Sequence, residues 1–161
     1  MRSTVVVEAV YEERYWYPDD GGQVWLAGFT PVEAGSGRYL GRDDPWLAER
    51  GLLVVGVAGA GAHHAEALRA EGAAPGRPLE LRRDPQNAHD PNAISVHELG
   101  GGEQVGWVPR EVAAELALEL DEGRQWSAVV LREQRRSPRE PRHGLTMLLA
   151  PAGSVELVPR G

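Results

Sequence analysis

The chain has 161 residues, 24 acidic against 17 basic side chains, a net charge of −7 and no cysteine. That length suits one domain with an ordinary core plus an extension. The composition excludes disulfides and cysteine-ligated zinc, and the acidic balance argues against tight non-specific binding to nucleic acid, where neutralised phosphates supply most of the affinity.

All the basic residues are arginine. Each can make a bidentate contact to a phosphate or carboxylate. Residues 1–20 show no basic segment followed by an apolar one, and no apolar run reaches about 18 residues. The expectation is a cytoplasmic protein without a membrane segment.

Residues 4–17 alternate as a strand does, 19–22 (DDGG) read as a turn, and 23–29 return as the second arm of a hairpin. Tyr11, Tyr15, Trp16, Tyr17, Trp25 and Phe29 lie on these arms. They form either a stacking platform for bases or a small aromatic core that docks the extension. Residues 31–44 read as a linker. Asp44 followed by Pro45 predicts one helical turn, capped by the carboxylate and opened by the proline.

An apolar run at 52–57 predicts a buried strand, followed by a small-residue loop at 58–62. No Gly-Lys-Ser/Thr follows that loop, so it is not a phosphate-binding P-loop. Residues 63–71 read as a helix ended by Gly72. Leu79, Leu81, Ile94 and Val96 then alternate with polar residues, and 105–108 close another extended run. Between these strands lies Asp84-Pro85-Gln86-Asn87-Ala88-His89-Asp90-Pro91-Asn92. The prolines fix φ, and the Asp and Asn side chains bond nearby N–H groups. This predicts a stiff loop displaying Asn87, His89, Asp90 and Asn92.

Residues 109–119 carry one apolar stripe (Val112, Ala113, Leu116, Ala117, Leu120), with Pro109 suited to the first turn. A strand at 125–131, a charged hairpin loop at 132–143 and a returning strand at 144–149 follow. The ending Leu157-Val158-Pro159-Arg160-Gly161 reads as a thrombin-site remnant of recombinant expression, or as a native tail.

The run Asp84-Pro85-Gln86-Asn87-Ala88-His89-Asp90-Pro91-Asn92-Ala93-Ile94, with Val105-Gly106-Trp107-Val108-Pro109-Arg110 after it, resembles the HIRAN family. That family is named for the N-terminal domain of Rad5-type, helicase-like remodellers. The chain looks closest to stand-alone bacterial members, which lack a helicase. The resemblance implies an OB-like barrel and a role in DNA repair. In the remodeller relatives, an aspartate of this loop receives the 3′ hydroxyl of single-stranded DNA while aromatic side chains stack the last bases. Asp90 matches that aspartate, and His89 stands where those relatives have tyrosine. Their Arg and Tyr after the first strand correspond to Ala58, Gly59 and Ala60 here, and a Phe on the last strand to Leu145.

Other constellations are weaker. His63 and His64 are adjacent and diverge on a helix, and His89 and His97 flank a strand without a tetrahedral partner set. Ser95 and His97 share a strand face, but no nucleophile elbow supports catalysis. Asp84 and Asp90 lack the further acid and the lysine that a Mg²⁺ site would use.

The expected fold is mainly β with two short helices (α+β). It is a small OB-like, partly open β-barrel of about six strands over residues 51–151. An N-terminal hairpin extension and linker (1–50) precede it, and a tail (152–161) follows. The expected function is non-catalytic recognition of single-stranded DNA or a DNA 3′ end by Asn87, His89, Asp90, Asn92 and Trp107. Arg82, Arg135 and Arg136 would contact phosphates. No metal or cofactor is implied, and the oligomeric state is left open. A protein partner docked by the acidic surface and aromatic extension is the alternative, and a metal-binding, hydrolase-associated domain a remote one.

Overall fold

The computed structural model describes residues 4–17, 22–100 and 102–160, without the side chains of 62 and 63. Most of the turn expected at 19–22, the His63 side chain and Gly161 therefore lie outside the described residues.

The protein is mainly β. Its strands are β1 (Val5–Trp16), β2 (Val24–Val32), β3 (Leu53–Gly56), β4 (Pro78–Arg83), β5 (Ile94–Glu98), β6 (Gln104–Trp107), β7 (Trp126–Arg135), β8 (Gly144–Pro151) and β9 (Val155–Pro159). They join in one open sheet with the path β6-β5-β4-β7-β2-β1-β9, while β8 pairs with β7 and β3. β7 is the spine. Its first half pairs with β4 (Leu79 opposite Ala128) and its second half with β2 (Gly28 opposite Arg132). The change of partner falls at a bulge between Val130 and Arg132. Gly28 permits it, because a Cβ there would stand 2.2 Å from the Leu131 carbonyl oxygen.

Among the described residues, four α-helical segments accompany the sheet: α1 (Pro45–Ala48), α2 (Ala60–His63), α3 (Ala65–Leu68) and α4 (Arg110–Asp121). In α1, the Asp44 carboxylate accepts from Trp46 N at 2.9 Å, the cap expected from the sequence. α4 buries Ala113, Leu116 and Ala117, with Val112 and Leu120 packed beside them, so the apolar stripe faces the core as read. None of these helices is long and apolar enough to cross a membrane.

The core has two parts. One is enclosed by α3, α4 and β4 to β8, with Leu68, Ile94, Val96, Leu116 and Met147 at its centre. The other joins Val7, Leu40 and Leu47 to Leu52, Val54, Leu131 and Leu148. The N-terminal hairpin thus shares a sheet and a core with the rest of the chain.

Several expectations change. The helix expected at 63–71 is two single turns and a short 3-10 turn (Glu71–Ala73), because His64 at φ −133° and ψ 33° leaves helical space between them. The linker expected at 31–44 is ordered: Pro31 and Val32 belong to β2, and Leu40 N donates to Pro31 O at 2.9 Å. The charged loop expected from Arg132 begins later. Residues 132–135 continue β7, because β2 and β8 satisfy their backbone on both sides. Residues 155–159, read as tail, are β9, parallel to β1.

Candidate nucleic-acid interface

The loop between β4 and β5 is bonded to itself. Asp84 N donates to Ala93 O at 2.9 Å, closing its base. Asn87 Oδ1 accepts from the backbone N–H of both His89 (2.9 Å) and Asp90 (3.0 Å). Asp90 Oδ1 accepts from Asn92 N at 2.9 Å. Such Asx bonds replace the backbone partners that a loop lacks. Arg83 ties the loop to the end of α4, donating to Ala93 O (2.8 Å), Pro91 O (3.0 Å) and Asp121 Oδ1 (2.9 Å).

Below the loop lies an open cleft of about 370 Å³. Ala58, Ala93, Ile94 and Val108 give it an apolar floor, and Asn87, His89, Asp90, Trp107 and Arg110 form its walls. Trp107 is set by paired bonds with Ala58, two residues past β3: Ala58 N to Trp107 O at 2.8 Å and Trp107 N to Ala58 O at 2.9 Å. Gly106 makes that approach possible, since a Cβ there would meet Val57 Cγ1 at 2.4 Å and Ala58 O at 2.6 Å. Arg110, the first residue of α4, donates through Nη2 to His89 O at 2.9 Å. Its Nε lies 3.5 Å from Asp90 Oδ2. One carboxylate oxygen of Asp90 is thus spent on the loop, while the other faces a cation at the cleft wall.

Of the residues singled out from the sequence, Asn87, His89, Asp90 and Trp107 come together here. Asn92 is exposed and lies outside the cleft lining; it serves the loop through its backbone N–H. Arg82 stands on β4, paired with Glu80 at 2.7 Å. Arg135 pairs with Glu133 at 3.1 Å, and Arg136 is exposed at the β7–β8 turn. None of these three arginines lines the cleft. Arg110 is the cleft's cation, and sequence reasoning passed over it. The signal was present, because Arg110 ends the Val-Gly-Trp-Val-Pro-Arg run. Other arginines are already paired: Arg83 with Asp121, Arg124 with Glu122, and Arg135 and Arg142 with Glu133.

Ser95 Oγ lies 2.8 Å from His97 Nε2. The serine is buried and also bonds Arg82 O at 3.3 Å, and His97 Nδ1 faces Gly102 O at 3.3 Å. These bonds brace β5 against its neighbours. Among the described residues, no group of three or more His, Asp or Glu side chains converges as a metal site would.

The family model described as HIRAN domain matches residues 52–142. The HIRAN domain of human HLTF, known from a crystal structure, is 26% identical, with a TM-score of 0.45 over 65% of this chain and 80% of that one. A structural-genomics crystal structure from Lactobacillus plantarum is 23% identical, with a TM-score of 0.46 over 60% of this chain and 91% of that one. Among curated proteins none matches.

Proposed function

The chain belongs to the HIRAN domain family, whose members are in general DNA-binding modules, and from that premise we propose that the cleft under the β4–β5 loop receives the 3′ end of a single DNA strand without catalysis. The observation carrying this is the convergence of the Asp90 carboxylate, the His89 and Trp107 rings and the Arg110 guanidinium on one open, apolar-floored cleft.

Each group has a separate task. Asp90 Oδ2 lies beyond ordinary hydrogen-bond distance from Arg110 Nε (3.5 Å), so it keeps capacity to accept a terminal hydroxyl. A terminal phosphate there would meet a like charge. His89 and Trp107 supply rings to the lining, and base stacking contributes about 1–3 kcal/mol per base. Arg110 is 73% exposed at its side chain, so it can reach a phosphodiester while holding the loop. The resemblance sets an arginine near Ala58, which here offers only a methyl group to the cleft. In this reading the cation comes instead from α4.

Fluorescence anisotropy with oligothymidylates ending in a 3′ hydroxyl or a 3′ phosphate, and with a blunt duplex, tests the proposal. A charge-assisted hydrogen bond contributes about 1.5–3 kcal/mol, so hydroxyl ends should bind about tenfold tighter or better. Asp90→Asn should abolish that preference. Equal binding of both ends by the unaltered protein, with Asp90→Asn lowering only the melting temperature, would reduce Asp90 to a loop brace.

One observation favours a second reading. Tyr11, Tyr15 and Tyr17 are 41–68% exposed on one hairpin arm, a surface suited to docking a protein. Such docking would respond weakly to salt, whereas single-strand binding weakens with a slope near −0.7 per phosphate contact.

A further inference from the structure

A second depression of about 380 Å³ opens on the face where β1, β2 and β7 lie side by side. Its making follows from strand alternation. On β1, Glu12, Arg14 and Trp16 recur every second residue and share a face. The registers place Arg14 beside Leu26 and Leu26 beside Gln134, and set Gly28 between Glu12 and Arg132. Gly28 has no side chain to fill the space between those two. The turn after β2 brings Tyr39 and Arg42 to the same rim.

Three guanidinium groups thus meet in one depression, and their partners are few. Arg132 donates to Phe29 O at 3.2 Å and has no carboxylate ion pair among the described residues. Arg42 has none either. Arg14 stands 3.8 Å from Glu12, too far for a hydrogen bond. Among the described residues Glu12 is the carboxylate that acts on Arg132, and one of its oxygens is held by the Tyr39 hydroxyl. Burial first, then the charges of Arg42 and Arg14, hold the Arg132 guanidinium below its ordinary pKa, with Glu12 pulling the other way. Among the described residues, the folded protein therefore keeps a concentration of positive charge that Glu12 offsets only in part. At the rim, Trp16 is 50% and Tyr39 53% exposed, a large aromatic area that no core requires.

We propose that the Arg14, Arg42 and Arg132 depression is a nucleotide-binding subsite. The guanidinium groups take a phosphodiester of a single-stranded nucleic acid, and Trp16 and Tyr39 stack the adjoining bases. An anion relieves the repulsion among the cations, and forked donors match phosphate oxygens in pairs. The flanking rings select a nucleotide over a bare anion. The subsite lies on a different stretch of the sheet from the Asp90 cleft, and it does not require that cleft to read strand ends.

The test uses the whole chain, fluorescein-labelled oligothymidylates with either 3′ end, and inorganic phosphate as a control. The exposed Arg14 and Arg42 are changed together to Gln, with the melting temperature as a check on folding. The expected result is binding weakened tenfold or more for both ends alike, with a salt slope shallower by about 0.7 for one lost single-strand phosphate contact. Trp16→Ala should weaken both ends by about fivefold or more. The Trp16 indole N–H resonance should move with oligothymidylate and not with phosphate alone. If hydroxyl and phosphate ends bind equally but the double variant still weakens both, end reading fails and the subsite stands. Unchanged affinity and salt slope in the double variant would overturn the subsite, as would a Trp16 resonance that responds to phosphate alone or stays still.

Discussion

The two parts of the core support two different surfaces. The first, around Ile94, Val96, Leu116 and Met147, lies under the β4–β5 loop and α4, and so under the Asp90 cleft. The second, around Val7, Leu47, Leu131 and Leu148, lies under β1, β2 and the turn carrying Arg42. The family match at 52–142 takes in most of the first part, though not Leu145, Met147 and Leu149 on β8. The second part draws Val7, Leu40 and Leu47 from the first 50 residues. The difference teaches that the hairpin completes a half-built core rather than decorating a finished one.

The largest way to break this comparison is to delete residues 1–50. That uncovers Leu52, Val54, Leu131 and Leu148 and takes β2 from β7. Each such side chain returns about 1.5–3 kcal/mol to solvent, against a whole-domain stability of about 5–15 kcal/mol. Thermal melting of residues 51–151 should show no cooperative transition. A transition within a few degrees of the full chain's would mean the first core stands alone.

Next in size is the joint between the halves. Glu133 on β7 is 6% exposed at its side chain and paired with Arg142, which also donates to Leu68 O (2.9 Å) and Ala70 O (3.1 Å) beside the first core. Glu133→Gln leaves buried guanidinium charge uncompensated, and should cost about 3–5 kcal/mol in urea unfolding.

Matched truncations sharpen the comparison further. Leu47→Ala and Leu116→Ala should each cost about 2–5 kcal/mol. Under conditions where both variants stay folded, amide exchange should quicken around Tyr39 and Arg42 in the first, and around Arg110 in the second. Quickening at both places in either variant would mean that the halves act as one unit.

The smallest effect concerns pH. Hydrogen bonds from Arg83 hold the Asp121 carboxyl below its usual range, and those from Arg38 and Trp46 N do the same for Asp44 in the other half. A depressed carboxyl contributes fully above its unfolded value, about 3.9, and loses that contribution as pH falls through the folded value. Acidification from about pH 5 to about pH 3 should therefore loosen residues 90–93 in the unaltered protein. Asp121→Asn should flatten that response, read from amide resonances.

Local signals were the legible ones. The Asp44 cap, the α4 stripe, the strands at 79–108 and the self-bonded loop all depend on residues a few positions apart, and the sequence carries such patterns openly. What escaped depends on distant partners. Residues 132–135 look like a charged loop until β2 and β8 flank them, and 155–159 look like a tail until β1 pairs with them. The site followed the same rule. Asn87, His89, Asp90 and Trp107 were visible in a motif, while the Arg14, Arg42 and Arg132 group exists only through strand register. Of the arginines expected to meet phosphate, Arg82 and Arg135 are paired in the folded chain with Glu80 and Glu133, each two positions away on the same strand.

The parallel pairing of β1 with β9 bears on the order of folding. Val5 meets Val155 and Ala9 meets Pro159, so nearly the whole chain separates the partners. Closing so long a loop costs entropy before any contact repays it, and contacts of high sequence separation slow folding. In the finished sheet β9 reaches β7 through β1 and β2, and the short-range β1–β2 hairpin costs less entropy to form first. In pulse-labelled hydrogen exchange the β9 amides should gain protection last. A chain still emerging from the ribosome would present β1 as an open edge until residues 155–159 arrive.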